Sequence, residues 1–248
     1  AALRMDNPEV FENTHRLLRE FLAAGLVDGL RIDHPDGLYA PREYFGRLQA
    51  MAAALSSREA PNVADGGDTG GSALPLYIVV EKILASHEYL PPSWPVHGST
   101  GYDFAAMCTG LFVDASATNR FTRIYHGFIR ARLDFDAMGR TNKHLIMKRA
   151  LAGELHVLAT QLARIARGGL HTCDFTFNSQ RSSLPQVAAN FPVYRTYVAG
   201  CESAAEDVRY VNWAVGVAKK RSRDPDPSIF DFLQDVLLAR EARGKGEA

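Results

Sequence analysis

Val27-Asp28-Gly29-Leu30-Arg31-Ile32-Asp33-His34 reads as a short buried strand, Val27 to Ile32, that delivers Arg31, Asp33 and His34 in a charged cluster before Pro35-Asp36-Gly37 breaks the chain. An acid at the mouth of a strand has two readings. It can cap the next helix or close a turn, or it can be a catalytic group of an α/β enzyme. The octapeptide alone does not separate them. Leu76-Tyr77-Ile78-Val79-Val80-Glu81-Lys82 does, because it is a second apolar run that ends in a carboxylate and is followed by a loop. Two such strands predict Asp33 and Glu81 on one rim of a parallel sheet or barrel.

Helical patterns surround these strands. Asn7 caps a first helix with Pro8 in its opening turn, an apolar stripe through Val10, Phe11, Leu17, Leu18, Phe21 and Leu22, and a stop at Gly25. Pro41 opens a second, with Tyr44, Phe45, Leu48 and Met51 on one face, so strand, helix and strand form a βαβ unit with a right-handed crossover. Residues 56–73 are small and polar around Gly66-Gly67-Asp68-Thr69-Gly70-Gly71, which lacks the Gly-Lys-Ser/Thr of a phosphate-binding loop and reads as a surface insertion. The proline-rich run His87 to Pro95 is a loop over the rim, with Trp94 as an anchor and Tyr102 as the better candidate to offer a flat apolar face with a polar edge to a ligand.

From Asp103 to about Gln180 the pattern is helical, including a long helix capped by Thr141, and its basic residues read as a solvated face. Ser183 to Gln186 starts a short helix, Val193 to Val198 reads as a third strand, Ser203 with Glu206 caps a further helix, and Asp226-Pro227 opens the last. The expected organisation is a barrel portion over 1–103, a helical insertion over 104–182, and a return to strand and helices over 183–248.

Composition narrows the function classes. The 248 residues are 46% hydrophobic, enough for a packed core, and 28 basic residues balance 28 acidic ones, so no global field recruits nucleic acid or an anionic membrane. Arg4, Asp6, Glu9 and Glu12 precede any long apolar run, which excludes a signal peptide or membrane anchor there and makes the cytoplasm the default location. Cys108, Cys173 and Cys201 are widely spaced, the eight histidines show no His-Glu-x-x-His pattern, and the acids form no calcium loop, so neither metal nor cofactor is expected.

Five stretches, two of them overlapping, carry a resemblance. Gly29-Leu30-Arg31-Ile32-Asp33-His34 resembles the nucleophile strand of the α-amylase superfamily, and Val80-Glu81-Lys82-Ile83-Leu84 resembles its general-acid strand. With Asp33-His34-Pro35-Asp36-Gly37-Leu38, Trp94-Pro95-Val96-His97-Gly98-Ser99-Thr100-Gly101-Tyr102-Asp103-Phe104, and Phe191-Pro192-Val193-Tyr194-Arg195-Thr196-Tyr197-Val198, the chain is similar, in order and along nearly its whole length, to the maltooligosyl trehalose synthase family of glycoside hydrolase family 13.

The resemblance implies a helix-rich α/β chain: part of a (β/α)8 TIM barrel, about strands four to six, with a large α-helical inserted subdomain. It implies a (1→4)-α-D-glucan 1-α-D-glucosylmutase, which moves the reducing-end α-1,4 linkage of a maltooligosaccharide into an α,α-1,1 linkage without net hydrolysis. Retention requires two carboxyl groups about 5 to 5.5 Å apart. Asp33 fits the nucleophile, its ionised form favoured beside Arg31. Glu81 fits the acid and base, and starting protonated asks for a partly desolvated position. His34 and Lys82 would hold sugar hydroxyls, and Tyr102, Phe191, Tyr194 and Arg195 would face the substrate. The loop around Trp94 to Phe104 and the strand around Phe191 to Tyr197 would enclose the intermediate against water.

The family's third acid, an Asp in a Glu-Asp-Thr stretch, has no counterpart in these residues. The chain therefore reads as an interior piece of a synthase, with little activity alone, whose open strand edges would meet the remainder of the barrel or another copy. Two alternatives remain at this level: another α-glucan hydrolase or glucanotransferase of the superfamily, and a non-catalytic glucan-binding piece.

Overall fold

A computed structural model describes residues 3–56, 74–198, 203–222 and 226–240. The glycine-rich insertion and Cys201 lie outside the described residues. The chain divides into two compact units, residues 1–113 and 114–248.

The first unit is built on three parallel strands in the order β1 (Gly29–Ile32), β2 (Tyr77–Val80), β3 (Gly98–Ser99). Register pairs Ile32 with Val80 and Val80 with Ser99, so all three strands end at one level. Gly29 allows the closest approach of the first two, because a Cβ there would sit 2.9 Å from the Tyr77 carbonyl oxygen. Helix α3 (Pro41–Ser56) joins β1 to β2 and turns Phe45, Leu48 and Met51 inward, as its sequence predicts. These meet Ile78, Val80 and Trp94, whose ring lies 5.1 Å from that of Phe45.

The expected first helix is two, α1 (Pro8–Thr14) and α2 (Arg16–Ala23). Asn7 caps α1 through the Glu9 N–H, but at His15 the backbone leaves helical geometry. Its ring stacks on Phe11 at 4.1 Å and meets the Tyr44 hydroxyl at 2.9 Å, contacts that fix the break against α3. Helix α4 (Tyr102–Gly110) completes the unit.

The second unit is helical: α5 (Thr118–Ile129), α6 (Phe135–Arg149), α7 (Ala152–Ala166), α8 (Phe177–Ala189), α9 (Ala205–Arg221) and α10 (Ser228–Leu237). Helix α8 packs against α6, α7, α9 and α10. The core draws on Leu162, Val187, Val211, Val215, Phe230 and Leu233.

Several helix starts differ from the sequence reading. Asp134, not Thr141, caps α6 by accepting from the Ala137 N–H, and Thr141 sits mid-helix with its hydroxyl donating to the Ala137 carbonyl. Thr176 caps α8, which places Ser183 and Pro185 inside the helix rather than at a start. Ser203 does not cap α9; its hydroxyl donates to the Leu238 carbonyl.

Val193 to Val198 is irregular rather than a strand. Pro192 removes a donor at its entry, and the Tyr197 N–H is taken by the Asp207 carboxylate instead of a neighbouring strand. No helix among the described residues is long and apolar enough to cross a membrane.

Candidate active site

The site is assembled at the carboxyl ends of β1 and β2. The parallel ladder continues one step beyond the strands, where the Glu81 N–H donates to the Ile32 carbonyl at 2.8 Å, and so Asp33 and Glu81 leave the sheet side by side. Arg31 and Asp33, two apart on an extended segment, share a face, and the guanidinium Nε lies 2.8 Å from Asp33 Oδ1. Both side chains are solvent-exposed, Asp33 at 71%.

Glu81 is half-buried, and each of its oxygens has a donor. Oε2 accepts the His34 backbone N–H at 3.1 Å, and Oε1 accepts the Tyr102 hydroxyl at 3.2 Å. The first contact depends on an unusual backbone. His34 has φ 49 and ψ 54, a left-handed conformation rare for a residue with a side chain and rarer before proline. Pro35–Gly37 then forms a single 3₁₀ turn closed by Gly37 N–H to the His34 carbonyl. A Cβ at Gly37 would stand 2.6 Å from the His34 ring, so glycine is what lets the imidazole fold over the turn. His34 and Gly37 thus act as one unit that aims an N–H at Glu81.

Lys82 is not where the resemblance implies. A residue that follows Glu81 in an extended segment projects to the opposite side, and the Lys82 side chain is wholly enclosed. Its ammonium lies 3.2 Å from Asp36 Oδ2 and 2.9 Å from Glu88 Oε1, so it serves buried carboxylates rather than sugar hydroxyls. Glu88 and Gln49 are the residues that sequence reasoning missed. The Gln49 amide donates to the Leu76 and Pro95 carbonyls and accepts the Leu76 N–H, pinning the entrance of β2 to the proline-rich loop. A polar residue one step along from Leu48 on the apolar face of α3 was the available signal.

The structure brings together Arg31, Asp33, His34, Glu81 and Tyr102. Phe191, Tyr194 and Arg195 belong to the second unit. Phe191 packs against the helical core, Tyr194 is exposed, and Arg195 donates to the Thr196 carbonyl with its guanidinium 5.0 Å from the Tyr197 ring. Among the described residues no group of three or more His, Cys, Asp or Glu side chains is placed to hold a metal ion.

No family model matches the chain. Over 167 residues it is 34% identical to proteins described as maltooligosyl trehalose synthase from two strains of Mycobacterium tuberculosis, a match that covers 67% of this chain and 18% of theirs. The maltooligosyltrehalose synthase structure of Arthrobacter ramosus superposes on 97% of this chain with a TM-score of 0.67 at 27% identity, over 29% of its own length. The chain is homologous to part of the maltooligosyl trehalose synthases. A glycosyltrehalose synthase structure agrees, with a TM-score of 0.62 at 27% identity over 97% of this chain and 27% of that one. The chain thus spans less than a third of the length of these synthases, and its helix-rich α/β fold, with the small parallel sheet, matches that part of the synthase structures.

Proposed function

We propose that the protein carrying this chain converts the reducing-end α-1,4 linkage of a maltooligosaccharide to an α,α-1,1 linkage, with Asp33 as nucleophile and Glu81 as acid and base. One observation supports the reading above the rest: two carboxyl groups leave paired positions of adjacent parallel strands, at the end where such enzymes keep their chemistry.

The chemistry proceeds by two displacements. The Asp33 carboxylate attacks the anomeric carbon on the donor side of the last linkage, the bond to O4 breaks, and Glu81 gives its proton to that oxygen. The freed glucose turns, its anomeric hydroxyl loses a proton to Glu81, and its oxygen displaces Asp33. Two inversions give net retention.

The hydrogen bonds orient the working carboxyl group: Oε2 accepts from the fixed His34 N–H and Oε1 from the Tyr102 hydroxyl, whose proton can rotate. Arg31 keeps a positive charge against Asp33 throughout.

The parallel order and shared carboxyl ends also support reading the three strands as neighbours in a (β/α)8 barrel. Because the chain spans under a third of its relatives, we expect the 248 residues alone to show little or no activity.

Incubating the natural gene product with maltopentaose tests the function. A non-reducing product at constant total glucose is expected; rising reducing ends would assign the site to a hydrolase instead.

A further inference from the structure

We propose that Lys82 is a positioning residue, whose buried ammonium ties the loop after β1 to the loop after β2 and so fixes where the Glu81 carboxylate sits. The inference rests on the reading of Asp33 and Glu81 given above and names a further residue of that same site.

Burying a cation is strongly unfavourable unless it is paired closely, so a fully enclosed lysine needs partners that hold their places. Asp36 and Glu88 are those partners, and their side chains are only 13% and 5% exposed. They come from different loops. Asp36 is in the 3₁₀ turn that follows His34. Glu88 closes the turn after Glu81: its N–H donates to the Ala85 carbonyl at 2.9 Å, and its Oε2 accepts the Ala85 N–H at 3.1 Å.

Lys82 is therefore a strut between the segment that delivers the His34 N–H and the segment that delivers Glu81. Adjacent positions in the chain split the work, with Glu81 at the rim and Lys82 beneath it. The left-handed His34 adds a reason for such a strut, since a strained conformation of that kind persists only where its surroundings hold it. Loosening the strut lets the turn relax and carries the His34 N–H away from Oε2, without removing any group that touches sugar.

The test is steady-state kinetics on the natural gene product, with folding checked by circular dichroism and melting temperature. Lys82→Met is expected to lower kcat about 10²-fold while KM moves less than about threefold, the signature of misplacement rather than lost binding. Asp36→Asn keeps the side-chain shape and the Lys82–Glu88 pair. It is expected to fold even if Lys82→Met does not, and to lower kcat about tenfold with the same constancy of KM.

In whichever of these variants folds, a kcat within about twofold of wild type makes the strut purely structural and overturns the proposal. A KM that rises by more than kcat falls also overturns it, because the ammonium would then be binding sugar. Glu81→Gln is measured alongside: full activity in that variant removes the underlying site reading, whereas its loss with normal Lys82→Met kinetics removes only the strut.

Discussion

Among the described residues, the strand unit buries an ion-paired lysine between two loops beside its apolar core, whereas the helical unit is held mainly by apolar side chains, with Gln180, Ser183 and Asp207 as its buried polar groups. Lys82, Glu88 and Gln49 lie in the first beside Phe45 and Ile78, and each makes contacts to named partners in a neighbouring segment. The second relies on Val211, Phe230 and Leu233, which need only volume and proximity. It also leaves Phe121, Ile124 and Phe128 exposed along α5. Directional contacts set the position of a side chain to within a few tenths of an ångström, and that is what two cooperating carboxyl groups require. Dispersive packing sets stability and tolerates repacking.

The comparison predicts a ranking of effects. In the natural gene product, Asp33→Asn and Glu81→Gln should each lower kcat by at least about 10²- to 10⁴-fold, with melting temperatures unchanged because both groups are at the rim. Near-normal turnover in either would mean the rim is not the reaction centre. In the helical unit, Phe230→Ala should cost about 3–5 kcal/mol, read by denaturant unfolding, since its side chain is fully buried. A cost under about 1 kcal/mol would break the claim that apolar volume holds this unit.

Gln49→Leu is a sharper probe of the strand unit. It keeps the size and leaves buried partners at Leu76 and Pro95 unsatisfied, so about 1–3 kcal/mol per orphaned group should be lost despite the more apolar side chain. Unchanged stability would show that those backbone groups find water. Tyr102→Phe removes a single hydrogen bond to Oε1. Turnover should fall about tenfold and the share of free glucose should rise, because the Glu81 carboxyl group loses one of the two donors that orient it; an unaltered product ratio counts against a shielding role.

The smallest effect is a pH dependence. Burial pushes the Asp207 carboxyl above its ordinary value, against the lowering effect of the Tyr197 N–H bond. Between the unfolded and folded values the folded chain therefore holds more protons than the unfolded one. Stability should fall as pH rises through that window, starting near 3.8, and Asp207→Asn should flatten the slope. An unchanged slope would place the titrating group elsewhere.

How far the sequence could be read follows the same division. The ends of β1 and β2, the Pro41 start and the Asn7 cap were legible because each rests on local pattern or on the identity of one residue. Asp33 and Glu81 were legible together, since parallel strands of similar length end at one level. What escaped were contacts across segments. Lys82 follows a rim residue, but alternation turns it to the opposite side, and its partner Glu88 is 6 residues away inside a loop with no periodicity. Val193 to Val198 has β-favouring residues, yet its Tyr197 N–H goes to a helix carboxylate rather than to a strand. Thr141 has the right chemistry for a cap, yet mid-helix its hydroxyl is satisfied four residues back, and Asp134 holds the true start.

One labelling experiment reaches the claim that Asp33 and Glu81 work as a pair. In Glu81→Gln protein, a maltotriosyl fluoride needs no acid to depart but its sugar needs a base to be transferred onward, so a glycosyl ester should accumulate and mass spectrometry should place it on Asp33. An ester on another residue, or none from a protein whose wild type is active, would contradict the assignment.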